Sequence, residues 1–556
     1  MQYEADDILN ALDEQQREAA ESLIGPTVIL AGAGTGKTRT ITHRIAYGIL
    51  RGDYSENRVM ALTYTNRAAG ELRARLRSLG VQGVNAKTFH AAALAQLEYF
   101  WRDFYGIEAP RVLESKSRAI GQAAETLKIR LDANTIRELA AEIEWRKYSM
   151  LSLEDYLDQI TSRPAIHGLA PIRGYEIQVA YEEAKVKAKQ IDWEDVLMLC
   201  TGMLRAEPRA LAHVHQQYRF FTVDEYQDIS RLQQELLDTW LGERSDLCVV
   251  GDPNQTIYSF SGASASFLEN FDSRYPGANV ISLTKNYRSS GEIISLANRV
   301  RGNQKLEPLE AIRPKGLEPE VQEFNSKEQE SNWVAGKIKD LISSGTAASQ
   351  IAVLYRINAQ SEQIENALAK AGVEYQVRGG ARYFSRPEIM SAVRLVRAEA
   401  ANPTGTDLYE TVSAIVRSLG WQSIAPDVAG SQFEQWEALN SLLQIADELG
   451  QDATIQVFAH ELEERQRSQH EPTRESITLS TIHAAKGLEY KAVFIIGVVE
   501  GYLPISYAKT ELAIAEEQRL FYVAVTRAKD SLFITWANKD SAEDRLRTRS
   551  RYLDLI

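Results

Sequence analysis

The sequence predicts an α/β protein built from two similar units, each with a parallel sheet and each interrupted by a helical insertion. Three observations carry this. Apolar β-runs alternate with helical patterns over residues 1–111 and 191–282, and again over 283–385 and 475–556. Residues 112–190 and 386–474 keep helical periodicity with few strand signals, as in EIEWRKY and YEEAKVKAKQ. Pro403, Gly405, Gly430 and Gly450 interrupt the second stretch. One glycine-rich loop follows the first strand and has no counterpart later, so the two sheets are expected to share a single nucleotide site.

That loop lies in residues 27–40, TVILAGAGTGKTRT. Val28, Ile29 and Leu30 form an apolar run into it, and a helical pattern follows. Gly32, Gly34 and Gly36 free the backbone to curl its N–H groups around phosphate oxygens. Ala31 stands where the strictest motif has Gly, and Ala33 and Thr35 complete the loop. Lys37 is placed to reach the terminal phosphates, and Thr38 to hold Mg²⁺. The positive end of the new helix adds to the pull on phosphate. These residues predict binding of a nucleoside triphosphate. A chance glycine-rich turn is the competing reading, and the strand–loop–helix context argues against it.

Upstream, LDEQQREAAES (12–22) reads as a capped amphipathic helix. Gln16 is placed to approach the loop from the side, although a single Gln on a helix more often faces solvent. Downstream, VMALTYTNRAAGELRARLR (59–77) is a buried strand, a polar turn and a helix. Thr63, Thr65 and Asn66 fall at the strand's carboxyl end, where open α/β sheets bind ligands. Tyr64 offers a stacking face. Arg67, Arg73, Arg75 and Arg77 make the helix locally basic, which a solvated charged face also explains. Thr88 to His90 (TFH) mark another strand-to-helix junction.

RFFTVDEYQD (219–228) ends a strand in Asp224-Glu225. Adjacent carboxylates at a strand end suit Mg²⁺ chemistry: Asp224 can hold the metal through water, and Glu225 can orient and deprotonate an attacking water. LCVVGDPNQTIYSFSGA (247–263) ends a strand in Gly251-Asp252 and places Gln255 where it could sense a γ-phosphate. Tyr258 and Phe260 follow at alternate positions of a polar loop, a pattern that fits base stacking unless the rings bury the loop against the core. In the second unit NVISLTKNYRSS leads to Tyr287 and Arg288, and IAVLYRINAQS (351–361) ends in Arg356 and Asn358. ITLSTIHAAKGLEYKAVFIIG (477–497) holds two strands. EEQRLFYVAVTRAKDSLFITW (516–536) is a helix carrying Arg519 and Arg527, followed by a strand.

Composition bounds the rest. The 556 residues allow roughly three to five domains, and 44% apolar with 25% charged residues is ordinary for a globular protein. The start, MQYEADDILN, is acidic and unlike a signal peptide, and no apolar run approaches the length of a membrane span, which together predict a cytoplasmic protein. Cys200 and Cys248 are the only cysteines, too few for a disulfide framework and without zinc spacing. A net charge of −13 argues against a protein wrapped in nucleic acid. It leaves room for a motor that grips a single strand by stacking in a narrow basic groove.

QQREA, AGAGTGKT, ALTYTNRAAGEL, TFH, DEYQD, VGDPNQTIYSFSGA, NYRS, LYRINAQS, TIHAAKGLE and VAVTRAK stand in the order found in the UvrD/Rep/PcrA-type helicases of superfamily 1, and the chain resembles that family over nearly its whole length. TIYSFSGAS and AEIEWRK (141–147) look most like the second UvrD-type group of actinobacteria. The resemblance implies two RecA-like P-loop NTPase domains: 1A (1–111 and 191–282) and 2A (283–385 and 475–556). Helical insertions 1B (112–190) and a short 2B (386–474) go with them. It implies ATP and Mg²⁺ as cofactors. Gln16 and Arg39 would contact adenine and Tyr287 would stack on it, Lys37 and Thr38 would hold phosphate and metal, and Asp224 and Glu225 would serve metal and water. Gln255, Arg288 and Arg527 would reach the γ-phosphate, and Glu489 would face the ribose. Tyr64, Thr88, His90, Tyr258, Phe260, Arg356, Asn358 and His483 match strand-contacting positions. The implied activity is ATP-driven 3′→5′ movement on DNA in repair or replication. Single-stranded and 3′-tailed duplex DNA would be the substrates, and the chain would act as a monomer or weak dimer. By the resemblance, relatives usually have Trp where this chain has Phe260 and Arg where it has Ser261. The 2B stretch is short, lacks a clear glycine-containing duplex-contact loop, and the tail RLRTRSRYLDLI adds no motif. A translocase that displaces proteins and needs a protein partner to unwind is therefore the alternative expectation.

Overall fold

A computed structural model of the chain describes residues 4–163, 166, 168–302, 306–378, 384, 386–403, 407–423, 431–449, 453–468, 475–506, 508–539 and 546–556. Gly405, Gly430 and Gly450, read above as breakers, lie outside these. The chain forms two compact units, Met1–Tyr287 with Asn303–Leu309 and Arg288–Gly302 with Glu310–Ile556.

The first unit is built on six parallel strands: β1 (Thr27–Ala31), β2 (Val59–Thr63), β3 (Asn85–Thr88), β4 (Phe220–Val223), β5 (Leu247–Gly251) and β6 (Asn279–Leu283). Their order across the sheet is β3-β2-β4-β5-β1-β6. β2, β4 and β5 are buried throughout, as continuous apolar runs require when helices cover both faces. Alternate residues feed two separate cores. Val28, Leu62, Val223 and Val249 pack with Trp240 on one face, and Ile29, Ala61 and Val250 pack with Ile41 and Ile45 on the other.

Between β3 and β4 the chain leaves through Arg111–Val112 and returns through Gln190–Ile191, which pair in parallel. Helices at Lys116–Thr126, Ala133–Tyr148, Leu153–Gln159 and Pro171–Ala188 fill this excursion. They have a small core of their own, including Ile120, Leu139, Ile143 and Ile177. A buried ion cluster ties them to the helix Trp193–Ala206. Lys147 Nζ lies 2.7 Å from Asp192, 2.6 Å from Asp195 and 3.0 Å from Glu182. Lys185 Nζ joins the same carboxylates, and the Tyr181 hydroxyl donates to Asp192 at 2.9 Å. Burial alone would raise the Asp192 carboxyl, and Lys147, Lys185 and Lys116 reverse this and hold it far below its ordinary value. Removing one partner strands buried charge, so Lys147→Ala is expected to cost about 3–5 kcal/mol in urea unfolding of this unit.

The second unit repeats the plan with β7 (Glu320–Phe324), β8 (Ile351–Tyr355), β9 (Tyr375–Arg378), β10 (Ile477–Thr481), β11 (Tyr490–Ile495) and β12 (Ala528–Ala537). These are parallel in the order β7-β12-β11-β8-β10-β9. Between β9 and β10, helices at Pro387–Ala401, Leu408–Ser418, Ser431–Glu448 and Ile455–Ser468 pack around Ile389, Val412, Leu442 and Phe458. Three details differ from the sequence expectation. NVISL, read as part of the second unit, is β6 beside β1 in the first sheet. The helix expected to carry Arg527 ends at Val525, where the Thr526 hydroxyl donates back to the Tyr522 carbonyl, and Arg527 sits in the turn before β12. Tyr287, expected in the second unit, groups with the first, because its backbone N–H donates to the Gly34 carbonyl at 3.0 Å.

Candidate functional site

The phosphate loop leaves β1 at Ala31 and enters the helix Lys37–Arg51. Gly34 and Gly36 both hold left-handed backbone angles, φ 72° and 84°. Gly32 is required by close approach instead, since a Cβ there would lie 2.4 Å from Leu309 Cδ2. Lys37 Nζ donates to the Ala31 and Gly32 carbonyls at 2.9 and 3.3 Å, which lays its stem along the loop. Thr35 braces the turn by donating to the Gly32 carbonyl at 2.9 Å. Thr38 lies half-buried in the helix's first turn.

Three residues steady this loop from outside. Gln16 is only 4% exposed and donates to the Thr35 carbonyl at 2.9 Å. It occupies the third position of the helix Glu14–Glu21, in a reciprocal cap with Asp13, so its backbone is pinned as well. Asn286 donates to the Ala33 carbonyl at 2.6 Å. The Tyr287 hydroxyl donates to Asp13 at 2.5 Å, and its ring stays half-exposed beside the loop. Arg39, on the same helix as Lys37, donates to the Ala11 carbonyl.

Asp224 and Glu225 follow β4. The Asp224 carboxyl is buried and is pushed up to about 7, first by burial and then by Glu225, with Lys37 opposing. Glu225 holds a left-handed backbone at φ 53°, uncommon for a residue with a side chain, and its N–H donates to Asp224 Oδ1 at 2.9 Å. Gln255 donates to Asp252 Oδ2 at 2.8 Å. Gln227, which the sequence reading passed over, lies between these groups. It donates to Glu225 Oε2 at 2.5 Å and accepts from the Asp252 N–H at 3.1 Å.

Beyond the same strand ends sits an aromatic group. Tyr64 and Tyr258 stack with ring centres 5.5 Å apart and planes 9° from parallel. Phe260 meets Tyr258 edge-on at 6.1 Å and is 57% exposed. Ser261 turns its hydroxyl to the Tyr258 carbonyl. Thr88 caps the helix Phe89–Tyr105 by accepting from the Ala91 N–H at 3.2 Å. His90 Nε2 lies 3.2 Å from the Tyr148 hydroxyl, and its ring meets Trp193 edge-on. Burial first, and Lys116 second, push its imidazole down to about 4, so it is neutral at pH 7. Tyr148 was also missed. Its trace in the sequence is Gly262, where a Cβ would meet Tyr148 Cβ at 2.8 Å.

Within the second unit Arg288 Nε pairs with Glu489 at 2.7 Å, and Lys529 joins the same carboxylate. Arg288 also donates to the Thr526 carbonyl at 3.3 Å. Arg527 is 1% exposed and donates to the Val523 and Leu488 carbonyls. Arg356 forms a bidentate pair with buried Glu517, which also accepts from the Ile505 N–H. Asn358 is exposed at the start of a 3₁₀ turn. His483 is pushed down to about 3 by burial and then by Arg356 and Lys486.

A phosphate loop on one six-stranded parallel sheet, with a second parallel sheet of the same size later in the chain, defines an α/β protein of two RecA-like P-loop NTPase domains. Residues 12–276 match the UvrD/REP helicase N-terminal domain, and residues 281–426 and 404–539 match the UvrD-like helicase C-terminal domain. Over 585 residues the chain is 41% identical to the ATP-dependent DNA helicase UvrD2 of Mycobacterium tuberculosis, spanning 100% of this chain and 83% of that protein. The UvrD2 of Mycobacterium bovis gives the same figures. The ATP-dependent DNA helicase PcrA of Bacillus subtilis is 29% identical over 640 residues, spanning 96% of this chain and 84% of PcrA. The chain belongs to the UvrD/REP helicase family.

Proposed function

We propose that the chain is an ATP-dependent DNA helicase that moves 3′→5′ along single-stranded DNA in the cytoplasm and serves DNA repair or replication. One observation carries the reading furthest. The aromatic group of exposed Tyr64 and Phe260 with half-buried Tyr258 follows strands β2 and β5, whose neighbours β1 and β4 carry the phosphate loop and the Asp224-Glu225 pair. Aromatic faces grip bases without regard to sequence. Family membership and the names of the relatives support ATP and DNA as ligands. The polarity rests on resemblance. No helix among the described residues is long and apolar enough to cross a membrane.

In this reading Lys37 holds phosphate, Glu225 orients the attacking water, Gln255 senses the γ-phosphate, and Gln16, Arg39 and Tyr287 frame the base. Mg²⁺ fits Thr38 and Asp224, which offer only hard oxygen donors, and Asp224 is a buried carboxyl whose ionised form a divalent cation would favour. That ion would neutralise charge on the phosphates. Arg288 and Arg527 act on the γ-phosphate and Glu489 on the ribose, and each is held among groups of its own unit. The helical sets 112–190 and 386–474 serve as insertions 1B and 2B, each with its own small core. Thr88, His90, Arg356, Asn358 and His483 line the strand's path. Of these, Arg356 must exchange or share its Glu517 partner to touch DNA.

Unwinding and ATPase assays on 3′-tailed, 5′-tailed and blunt duplexes, with a protein-blocked single strand alongside, test the proposal. It requires single-stranded DNA to stimulate hydrolysis and a 3′ tail to be needed for unwinding. Displacement of the block without strand separation would favour the translocase that needs a partner. Stimulation only by 5′-tailed substrates would overturn the polarity. Phe260→Ala should raise the ATP used per nucleotide travelled and weaken single-strand affinity by about 1–3 kcal/mol. The KM for ATP should stay within about twofold, because Phe260 packs on Tyr258 in the aromatic group. An equal loss of nucleotide affinity would contradict this.

A further inference from the structure

We propose that Gln227 is the positioning residue that ties Glu225 to the loop bearing Tyr258 and Phe260; this rests on the roles given above to Glu225 and to that aromatic pair. Gln227 has no exposed surface. Its amide is oriented without ambiguity. The Asp252 backbone N–H can only donate, so the amide oxygen faces it at 3.1 Å and the nitrogen faces the carboxylates of Glu225, at 2.5 Å, and Asp228, at 3.3 Å. Asp252 passes the link onward. Its Oδ1 accepts from the Asn254 N–H at 3.0 Å and its Oδ2 accepts from Gln255 Nε2 at 2.8 Å. Three residues past Gln255 the chain reaches Tyr258, in the stack with Tyr64.

Two backbone features fit this role. A Cβ at residue 251 would lie 2.4 Å from Gln227 Oε1 and 2.8 Å from Leu268 Cδ2, so glycine there is the condition for the amide to reach under the strand end. Glu225 takes its left-handed angle at a cost of about 1–2 kcal/mol. Such a backbone persists where its surroundings hold it, and Gln227 supplies one bond to the carboxylate. Cutting that bond removes one tie on the carboxylate and takes away the amide oxygen to which the Asp252 N–H donates. A drift of about 1 Å at a group that aligns a nucleophile costs about 10²-fold in rate. Movement of the 252–260 loop as DNA enters the stack is felt at Glu225 through the same amide.

Gln227→Met keeps length and volume beneath Gly251 while removing both hydrogen bonds. With poly(dT) present it is expected to lower kcat for ATP by about 10- to 100-fold. KM for ATP and affinity for a labelled single strand should stay within about twofold, with the melting temperature followed in parallel. Because Gln227 acts through Glu225, adding Gln227→Met to Glu225→Gln should slow hydrolysis less than about twofold further. Full kcat in Gln227→Met, a matching loss of nucleotide or DNA affinity, or losses that multiply in the double variant would each overturn the proposal. Gln227→Ala, which removes atoms beneath Gly251, takes its place if the Met variant does not fold. A wild-type protein without DNA-stimulated hydrolysis would refute the functional reading instead, since the poly(dT) comparison is made on the wild type first.

Discussion

Lys37→Ala lowers DNA-stimulated ATP hydrolysis by about 10³-fold in kcat/KM, or about 4 kcal/mol of transition-state stabilisation. The side chain is the cation of the phosphate loop. Its ammonium has three protons, and two are directed at the Ala31 and Gly32 carbonyls. These bonds fix the charge against the loop's own curve, so little reorganisation remains when a triphosphate arrives. The same charge opposes the rise of the Asp224 carboxyl. Its removal leaves that group less ionised at pH 7, so metal and phosphate binding weaken together. Both terms act on binding as well as on the transition state, and the fall should appear in KM and in kcat. Folding should survive, because Lys37 is half-buried and its partners are carbonyls of an open loop. Steady-state hydrolysis with poly(dT), read beside a melting curve, checks this. Activity within tenfold of the wild type would mean that the loop does not hold the hydrolysed nucleotide.

Most strands of both sheets were legible because buried parallel strands read as short apolar runs that end in turn residues, as VMALT and LCVVG do, whereas the partly buried EVQEF and YQVR carry no such run and went unread. The phosphate loop was legible because its glycines answer local backbone needs. What the sequence hid depends on partners far along the chain. Gln16 was placed to approach the loop, with a solvated face the likelier reading of its helix alone, and it is buried against Thr35, 19 residues away. The spacing Asp13-x-x-Gln16 held the missed signal, since it marks a cap that fixes this Gln at the helix start. Tyr287 was placed with the second unit, as part of the NVISLTKNYRSS stretch read there. Asn286 and Tyr287 in fact bond to loop carbonyls some 253 residues upstream, and no local pattern encodes such a bond. Arg356 was read as a strand-contacting position, and its partner Glu517 lies 161 residues further on. Thr88 is the local case. Its hydroxyl caps its own helix, a local role that the strand-to-helix junction already carried.

Glu225→Gln separates chemistry from binding where Lys37→Ala cannot. It is expected to lower kcat by about 10³-fold, within the range for loss of a general base, while the protein binds ATP as well as before or more tightly. The direction follows from the neighbours. Glu225 is the second cause, after burial, of the raised Asp224 carboxyl. Replacing its charge by a neutral amide lowers Asp224 toward the ordinary carboxylate range, so the buried carboxyl is more fully ionised at pH 7 and better suited to a cation. Geometry should persist. Gln is as long as Glu, accepts the left-handed angle at the same cost, and can turn its carbonyl oxygen toward Gln227 Nε2 to keep the bond now 2.5 Å long. What disappears is the negative charge that, in the proposed role, takes a proton from the attacking water. Single-turnover hydrolysis and the affinity for a fluorescent ATP analogue, measured on one preparation, decide it. Hydrolysis within tenfold of the wild type would move the base elsewhere, and a tenfold loss of ATP affinity would show that Glu225 serves the ground state. The expected variant holds ATP and DNA together without turning over, and its DNA-bound state should then outlast that of Lys37→Ala, which loses the nucleotide itself.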